Sequence, residues 1–410
     1  MYKSEAAKPP EWLGVRSAHT LWYVSDEERR QSGWLGCKTV QVIFARLLKE
    51  RRMFTVTAVV TFLLVLGVLI FFHELGHYTV ARLCGVEVQT FSLGFGPKLW
   101  TKKWGATEYC LSAFPLGGYV RLLGDDPTEE VAPEDKERSF LAANLSKKIA
   151  IVVAGPFFNF ILAFFVFFGL FMTGVPLLTP DVGEVDEGSA AALGGILAGD
   201  KIVSINEKPI THWEEIRETL QESNGSALRF VILRTGAEKV LTISPMQKEV
   251  KDIFGDSKPI WIIGVMPAKT QFIKRYDPVR AFGFGLARTG QMIALNTIGI
   301  FKLIAGKISS DNIGGPILIA KMAADQAEQG FLNILLFTAM ISINLGVINL
   351  FPVPVLDGGH LLFFLIEAII RRPLSIKARE MASQIGLFLL VSLMVFAFYN
   401  DIMRFFIKPQ

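Results

Sequence analysis

Four long stretches of this chain carry no charged residue, and they constrain its fold more than any other feature. Residues 54–72, 149–180, 331–356 and 381–400 run for 19, 32, 26 and 20 residues without Asp, Glu, Lys or Arg. A bilayer-spanning helix needs ~20 mostly apolar residues. Core helices of water-soluble proteins seldom run that far without a charge. The runs therefore predict four transmembrane helices and an α-helical integral membrane protein. Composition agrees: 51% of the 410 residues are apolar, 33 of them are Phe, and the mean hydropathy is +0.40. These values argue against a disordered chain and against an ordinary water-soluble enzyme. Lys and Arg (42) nearly balance Asp and Glu (38), with no long basic stripe, which argues against nucleic acid as a partner. The lipid bilayer is the partner the composition does imply.

The apolar runs set the expected organisation. Residues 1–52 are an N-terminal extension containing Trp12, Trp22 and Trp34 but no periodic pattern. Met53 stands directly before the first run, and translation is expected to start there. The first transmembrane helix covers 53–80 and the second 149–175, with a mixed loop at 81–148 between them. Residues 181–268 are polar, Gly-containing and β-rich, and read as a soluble domain. Residues 269–330 form an amphipathic interfacial region, because the uncharged core of that segment, 289–301, is too short to cross a bilayer. The third span and the turn after it cover 331–358, and the fourth span covers 381–405. Three cysteines, Cys37, Cys84 and Cys110, are too few for a disulfide framework.

The first span ends in His73-Glu74-Leu75-Gly76-His77, an HExxH pattern. Two histidines four residues apart lie on one helix face, so both imidazoles can reach one zinc ion. Glu74 is then the candidate general base, taking a proton from the attacking water. Two His and a Glu at membrane depth are costly unless they bind something. A catalytic zinc wants three protein ligands and one open position. Asp357 is the sole carboxylate between Glu328 and Glu367 and follows an uncharged run, which makes it the candidate third ligand. His360 competes for that role, or serves as a helix cap or a group behind the ligands. Topology tests the pairing. His73 and His77 end the first span and Asp357 follows the third, and odd-numbered spans deliver their ends to the same membrane face.

These residues resemble the site-2 protease family of intramembrane zinc metalloproteases, peptidase family M50, and most of all its bacterial regulator-of-sigma-E branch. The resemblance rests on residues 73–77 (HELGH) and 349–360 (NLFPVPVLDGGH), and it extends over 53–405. It implies one Zn2+ per chain on His73, His77 and Asp357, with Glu74 catalytic. It implies that Asn349 holds substrate near the metal and stabilises the oxyanion, with Asn344 a second substrate contact. Residues 91–97 (FSLGFGP) are similar to the family's membrane re-entrant β-hairpin, which makes Gly94, Phe95 and Gly96 candidate substrate-binding residues. Residues 115–120 (PLGGYV) match the family as well. Residues 154–159 (AGPFFN) resemble a family motif in the second span, where small residues bring helices close and Asn159 can bond across the bundle. Residues 181–268 resemble a single PDZ-like domain of α+β type, where relatives of that branch carry two.

The activity that the resemblance implies is regulated intramembrane proteolysis. The substrates would be single-span membrane proteins already cut outside by a site-1-type protease, either anti-sigma factors or remnant signal peptides. The location would be the bacterial inner membrane, with the PDZ-like domain extracytoplasmic and the active site near the cytoplasmic face. Two other readings compete. One is a metal-dependent adaptor or chaperone that binds peptides through the PDZ-like domain without cutting, for which an intact Glu74 would be superfluous. The other is a zinc transporter, disfavoured because charged residues and His are absent from 149–175 and 381–400 of the second and fourth spans.

Overall fold

The chain is long enough in four places to cross a bilayer as helix, and the computed structural model folds it that way. It describes residues 56, 58–126, 131–252, 254–372 and 374–407. The expected N-terminal extension and the start at Met53 lie outside the described residues. Helix α1 (Ala58–Leu83) leads into a β-ribbon of β1 (Val88–Trp104) and β2 (Thr107–Leu122). Helix α2 (Leu145–Thr173) follows and enters a domain of ten short strands and two helices, described below. After it come α5 (Pro278–Ile304), α6 (Pro316–Gln329), α7 (Phe331–Asn349), α8 (Asp357–Ile370) and α9 (Ile376–Ile402). Here α3 and α4 are the two helices of the inserted domain.

Four of the helices, α1, α2, α7 and the Ile376–Phe405 segment containing α9, are long and apolar enough to span a membrane. Their ends are set by caps rather than by the last apolar residue. The Asn144 side chain accepts from Lys147 N–H and starts α2 four residues before the uncharged run. Ser375 does the same for α9, which therefore begins through Lys377, Arg379 and Glu380. Helix α5 is capped by Asp277, with Pro278 at its first position, and is not among the four candidate spans. It packs along α2 and α7. Phe282 sits edge-on to Phe164, and Phe301 meets Phe351 at 5.6 Å. A Cβ on Gly285 would lie 3.2 Å from the backbone of Phe168, which shows how close α2 and α5 run.

The β-ribbon is more folded than a two-stranded hairpin. Residues 90–93 pair on one side with 118–121 and on the other with 108–111, while 98–104 pair with 107–112. The long strands thus bend into four short ones, side by side in the order 98–104, 107–112, 88–93 and 118–122. Their shared face and the end of α1 form a core of Ala81, Val86, Val88 and Leu122, closed by Ile151 and Val152 of α2 and by Phe364 of α8.

The inserted domain spans β3 (Val175–Leu178), β4 (Val182–Val185), α3 (Ala190–Leu193), β5 (Lys201–Ile205), β6 (Lys208–Pro209), α4 (Trp213–Glu222), β7 (Leu228–Arg234), β8 (Ala237–Ile243), β9 (Met246–Lys251), β10 (Ser257–Ile262), β11 (Val265–Pro267) and β12 (Gln271–Lys274). A four-stranded sheet in the order β6-β5-β7-β8 carries the core, and β4–β11, β9–β10 and β3–β12 form separate pairs. Along β7, Leu228, Phe230 and Ile232 are buried while Arg229 between the first two is exposed, the period of a half-buried strand. The Thr235-Gly236 turn to β8 has φ of 50° and 83°, the left-handed pair that a two-residue hairpin requires. Helix α4 is started by Glu215, whose carboxylate accepts from the N–H groups of Thr211 and His212. Strands β3 and β12 pair at the neck of the domain, so it reaches from 175 to 274 rather than from 181 to 268. The segment after β8 is a hairpin, β9–β10, whose turn residues Asp252 and Asp256 pair with Lys302 of α5.

Candidate metal centre

The i, i+4 spacing on α1 puts the His73 and His77 rings together, edge to face, with centroids 4.9 Å apart. Their Nε2 atoms are 3.3 Å apart. Asp357 completes a triangle: its carboxylate oxygens lie 3.2 Å from His73 Nε2 and 3.5 Å from His77 Nε2. Among the described residues this is the sole group of three or more potential metal donors. A tetrahedral ion with bonds of ~2.0–2.1 Å holds its donors about 3.3 Å apart, so the triangle has the size a zinc ion needs. Asp357 Oδ2 is buried and, although 3.2 Å from His73 Nε2, does not meet it in hydrogen-bond geometry, which fits a donor turned to a shared ion.

The two histidines are held from α2, and the aspartate by the turn after α7. Helix α2 approaches α1 where both carry glycine. A Cβ on Gly76 would fall 2.2 Å from Ala154 O, and one on Gly155 would fall 2.3 Å from His77 Nε2. That contact brings Ile151 O to 2.9 Å from His77 Nδ1, where it accepts the ring N–H and leaves Nε2 free. Asn159, one turn beyond Gly155 on α2 and fully buried, faces His73 Nδ1 at 3.3 Å. Asp357 is delivered by a tight crossing after α7. A Cβ on Gly358 would meet Phe351 O at 2.1 Å, and one on Gly359 would meet Val353 O at 2.4 Å. Val355 holds φ at 123°, a value a β-branched residue adopts only under strain, two residues before the carboxylate.

A cavity of about 380 Å³ opens over the three donors. Glu74, Asn349 and His360 line it, as do Gly118, Tyr119 and Val120 of the ribbon. Glu74 is buried and packs against Gly118, where a Cβ would stand 3.0 Å from its Cγ. A larger cavity, about 590 Å³, lies among Arg82, Trp104, Thr107 and Arg138. It holds no donor cluster, so the chemistry and not the size selects the site.

The structure thus brings together His73, Glu74, His77, Asn349 and Asp357. Gly94, Phe95 and Gly96 do not line this cavity. Phe95 instead stacks on Tyr119, which does, at 6.2 Å between ring centroids. Asn344 lines a different cavity, between α5 and α7, with Phe254, Met292 and Asn296. Sequence reasoning passed over Gly118–Val120 as a site element, although residues 115–120 had been singled out as a motif. It treated Asn159 as a packing residue, and nothing in the sequence marked Val355.

What the fold and this cluster define together is a membrane-embedded metalloprotease. The sequence profile of peptidase family M50 matches residues 61–393, and the chain belongs to that family. The protein named zinc metalloprotease Atu1380 of Agrobacterium fabrum (strain C58) is 39% identical over 359 residues, covering 84% of this chain and 95% of the relative. The zinc metalloprotease Cj1068 of Campylobacter jejuni is 39% identical over 341 residues, covering 83% and 92%. Regulator of sigma-E protease RseP of Escherichia coli (strain K12) is 33% identical over 447 positions, covering 84% and 98%. Since 84% of 410 residues is about 344, about 100 positions of that last alignment have no counterpart in this chain.

Proposed function

We propose that this chain is a zinc metalloendopeptidase that hydrolyses single-span membrane proteins at membrane depth, with one zinc per chain on His73, His77 and Asp357. The single observation that carries the reading is the triangle of donors 3.2–3.5 Å on edge, roofed by a cavity that Glu74 and Asn349 also line. Zinc, when bound, supplies Lewis acidity that favours deprotonation of water and polarises the scissile carbonyl. Glu74 takes the proton of the attacking water and passes it to the leaving amine. The Asn349 side-chain N–H donates to the carbonyl oxygen as negative charge develops there.

A peptide bond inside a transmembrane helix is shielded by its own hydrogen bonds, so the substrate must unwind. Residues 118–122 form an edge of the four-strand ribbon, paired on one side with 88–93, and Gly118–Val120 line the cavity. An unwound substrate segment added to that edge lies directly over the donors. In this reading the ribbon is the membrane re-entrant element, tolerable at depth because it borders protein and a wet cavity. The inserted domain is a single PDZ-like unit. Its groove between α4 and β10–β11, about 190 Å³, takes a peptide end or limits the size of the substrate's outer part. The location is the bacterial inner membrane, the inserted domain outside and the metal near the cytoplasmic face. The substrates are anti-sigma-factor-like proteins or remnant signal peptides left by a site-1-type protease.

The test is cleavage of an externally trimmed single-span substrate in detergent, with bound metal measured in the same samples. Wild type is expected to cut, and Glu74→Gln to hold zinc and cut at least ~10²-fold more slowly. Zinc retention without cleavage of several trimmed substrates by wild type would overturn the protease reading in favour of a peptide-binding adaptor.

A further inference from the structure

The two histidines of the triangle are tethered by different kinds of group. His77 Nδ1 donates to a backbone carbonyl, Ile151 O, which no side-chain change can remove. His73 Nδ1 faces only a side chain, the amide of Asn159 at 3.3 Å. With the amide nitrogen nearest the ring, Asn159 Oδ1 is buried without any hydrogen-bond partner. Exchanging the two ends of the amide would place its NH₂ at the same unpartnered position, so the cost of an unpaired end, about 1–3 kcal/mol, does not choose between the orientations. Amide oxygen and nitrogen exchange places by rotation about χ2 with no change of shape, and the ring chemistry decides between them. His73 turns Nε2 to Asp357 and His77. If Nε2 is to offer its lone pair to a metal, Nδ1 must carry the proton, and that proton needs an acceptor.

We propose that Asn159 is a positioning residue for His73: its side-chain carbonyl accepts the Nδ1–H and so reserves Nε2 for the metal. The inference rests on the metalloprotease reading above and deepens it. The surroundings hold Asn159 for this task. It is fully buried on α2, and its backbone carbonyl accepts a second bond from Ser342 Oγ of α7 at 2.7 Å, which ties the two helices at this level. An amide at this depth is expensive unless it serves a partner, and the ring of His73 stands within hydrogen-bond distance of it.

The test measures zinc affinity by competition with a chelator, using the full chain in detergent as wild type, Asn159→Asp and Asn159→Leu. Asp offers acceptors only, and Leu has a similar shape with neither donor nor acceptor. Asn159→Leu is expected to lose zinc affinity by about 10–100-fold, and Asn159→Asp to match wild type or exceed it. A packing role predicts the reverse order, with Leu harmless and a buried Asp harmful. Wild-type affinity in the Leu variant overturns the proposal, and so does an Asp variant as weak as Leu. Should the Asp variant not fold, ¹⁵N NMR of the ring nitrogens in zinc-loaded wild type reads the same contact unaltered. His73 Nδ1 is expected to carry a proton bonded to the Asn159 carbonyl, and a bare Nδ1 facing the amide NH₂ overturns the proposal. A wild type that binds no zinc brings down the metalloprotease reading with it. A zinc-binding, cleaving wild type with an indifferent Leu variant removes the Asn159 role alone.

Discussion

The helical bundle and the inserted domain both bury polar side chains, and they do so to different ends. In the inserted domain, Asp200 is buried and fully engaged. Arg234 grips both of its oxygens at 2.7 Å, Leu197 N–H donates at 2.8 Å, and no atom is left over. In the bundle, His73, Glu74, His77 and Asp357 converge on a cavity, and Asp357 Oδ2 lies 3.2 Å from His73 Nε2 without hydrogen-bond geometry to it. A satisfied buried pair holds a fold together. An unsatisfied cluster at membrane depth is a site, because nothing but a ligand offsets its desolvation. The two regions therefore respond differently to the same kind of insult.

The largest effect separates them completely. Removing the metal with a chelator, or Asp357→Ala, is expected to abolish cleavage to background. The melting of the inserted domain, followed by proteolysis of its strands, should not move. A parallel fall in both would mean that the metal is a structural staple for the whole chain. The converse change is Phe230→Ala. Phe230 is fully enclosed in the core of the inserted domain. Its truncation is expected to cost that domain about 3–5 kcal/mol. Cleavage of a substrate trimmed to a short stub should persist, because the donors sit on α1 and at the start of α8. Loss of that cleavage would show that the domain shapes the site itself.

A smaller change probes the seam by which α2 holds α1. Gly155→Ala puts a methyl 2.3 Å from His77 Nε2. Overpacking of this kind costs about 1–3 kcal/mol, and the atom that must yield is one of the three proposed metal donors. Zinc affinity and cleavage are expected to fall together while the variant still inserts and folds. Gly169, on the same helix with open space around it, is the control, and Gly169→Ala should be silent.

The four apolar helices and the meeting of His73, His77 and Asp357 were legible in the sequence because each has a local signature. Lipid forbids charge over ~20 residues, and a zinc-binding helix needs His at i and i+4. Asp357 could be found because it is isolated in an apolar run. What depended on tertiary placement was not legible. Nothing local says that residues 88–93 pair on both sides, so the ribbon read as a hairpin and its turn, Gly94 to Gly96, drew the attention that the edge at 118–122 now takes. Asn344 and Asn349 lie five residues apart on one helix and so face different ways, into different cavities. The neck pairing of β3 with β12 joins residues almost a hundred positions apart, so the domain boundary was set too tight. Val355 gives no sign in sequence, since its strain exists only once Gly358 and Gly359 press against the preceding turn.

The smallest expected effect lies in the pH dependence of the inserted domain, and it sharpens the contrast from the structural side. Burial lifts the pKa of Asp200, but the two bonds from Arg234 and the one from Leu197 N–H outweigh it and hold the carboxyl below the usual Asp range. The unfolded chain releases that proton near pH ~4. Between that value and the lower folded one, the unfolded state binds more protons than the folded state. The contribution is therefore fully present above about pH 4 and is lost as pH falls through the folded value. Asp200→Asn, which keeps the shape and removes the charge, should lower the domain's stability at neutral pH. It should also flatten the acid limb of its stability curve relative to wild type. An unchanged acid limb in Asp200→Asn would mean that the Asp200–Arg234 pair is as strong in the unfolded chain as in the fold, and the satisfied pair would then contribute no more to stability than the unsatisfied cluster does.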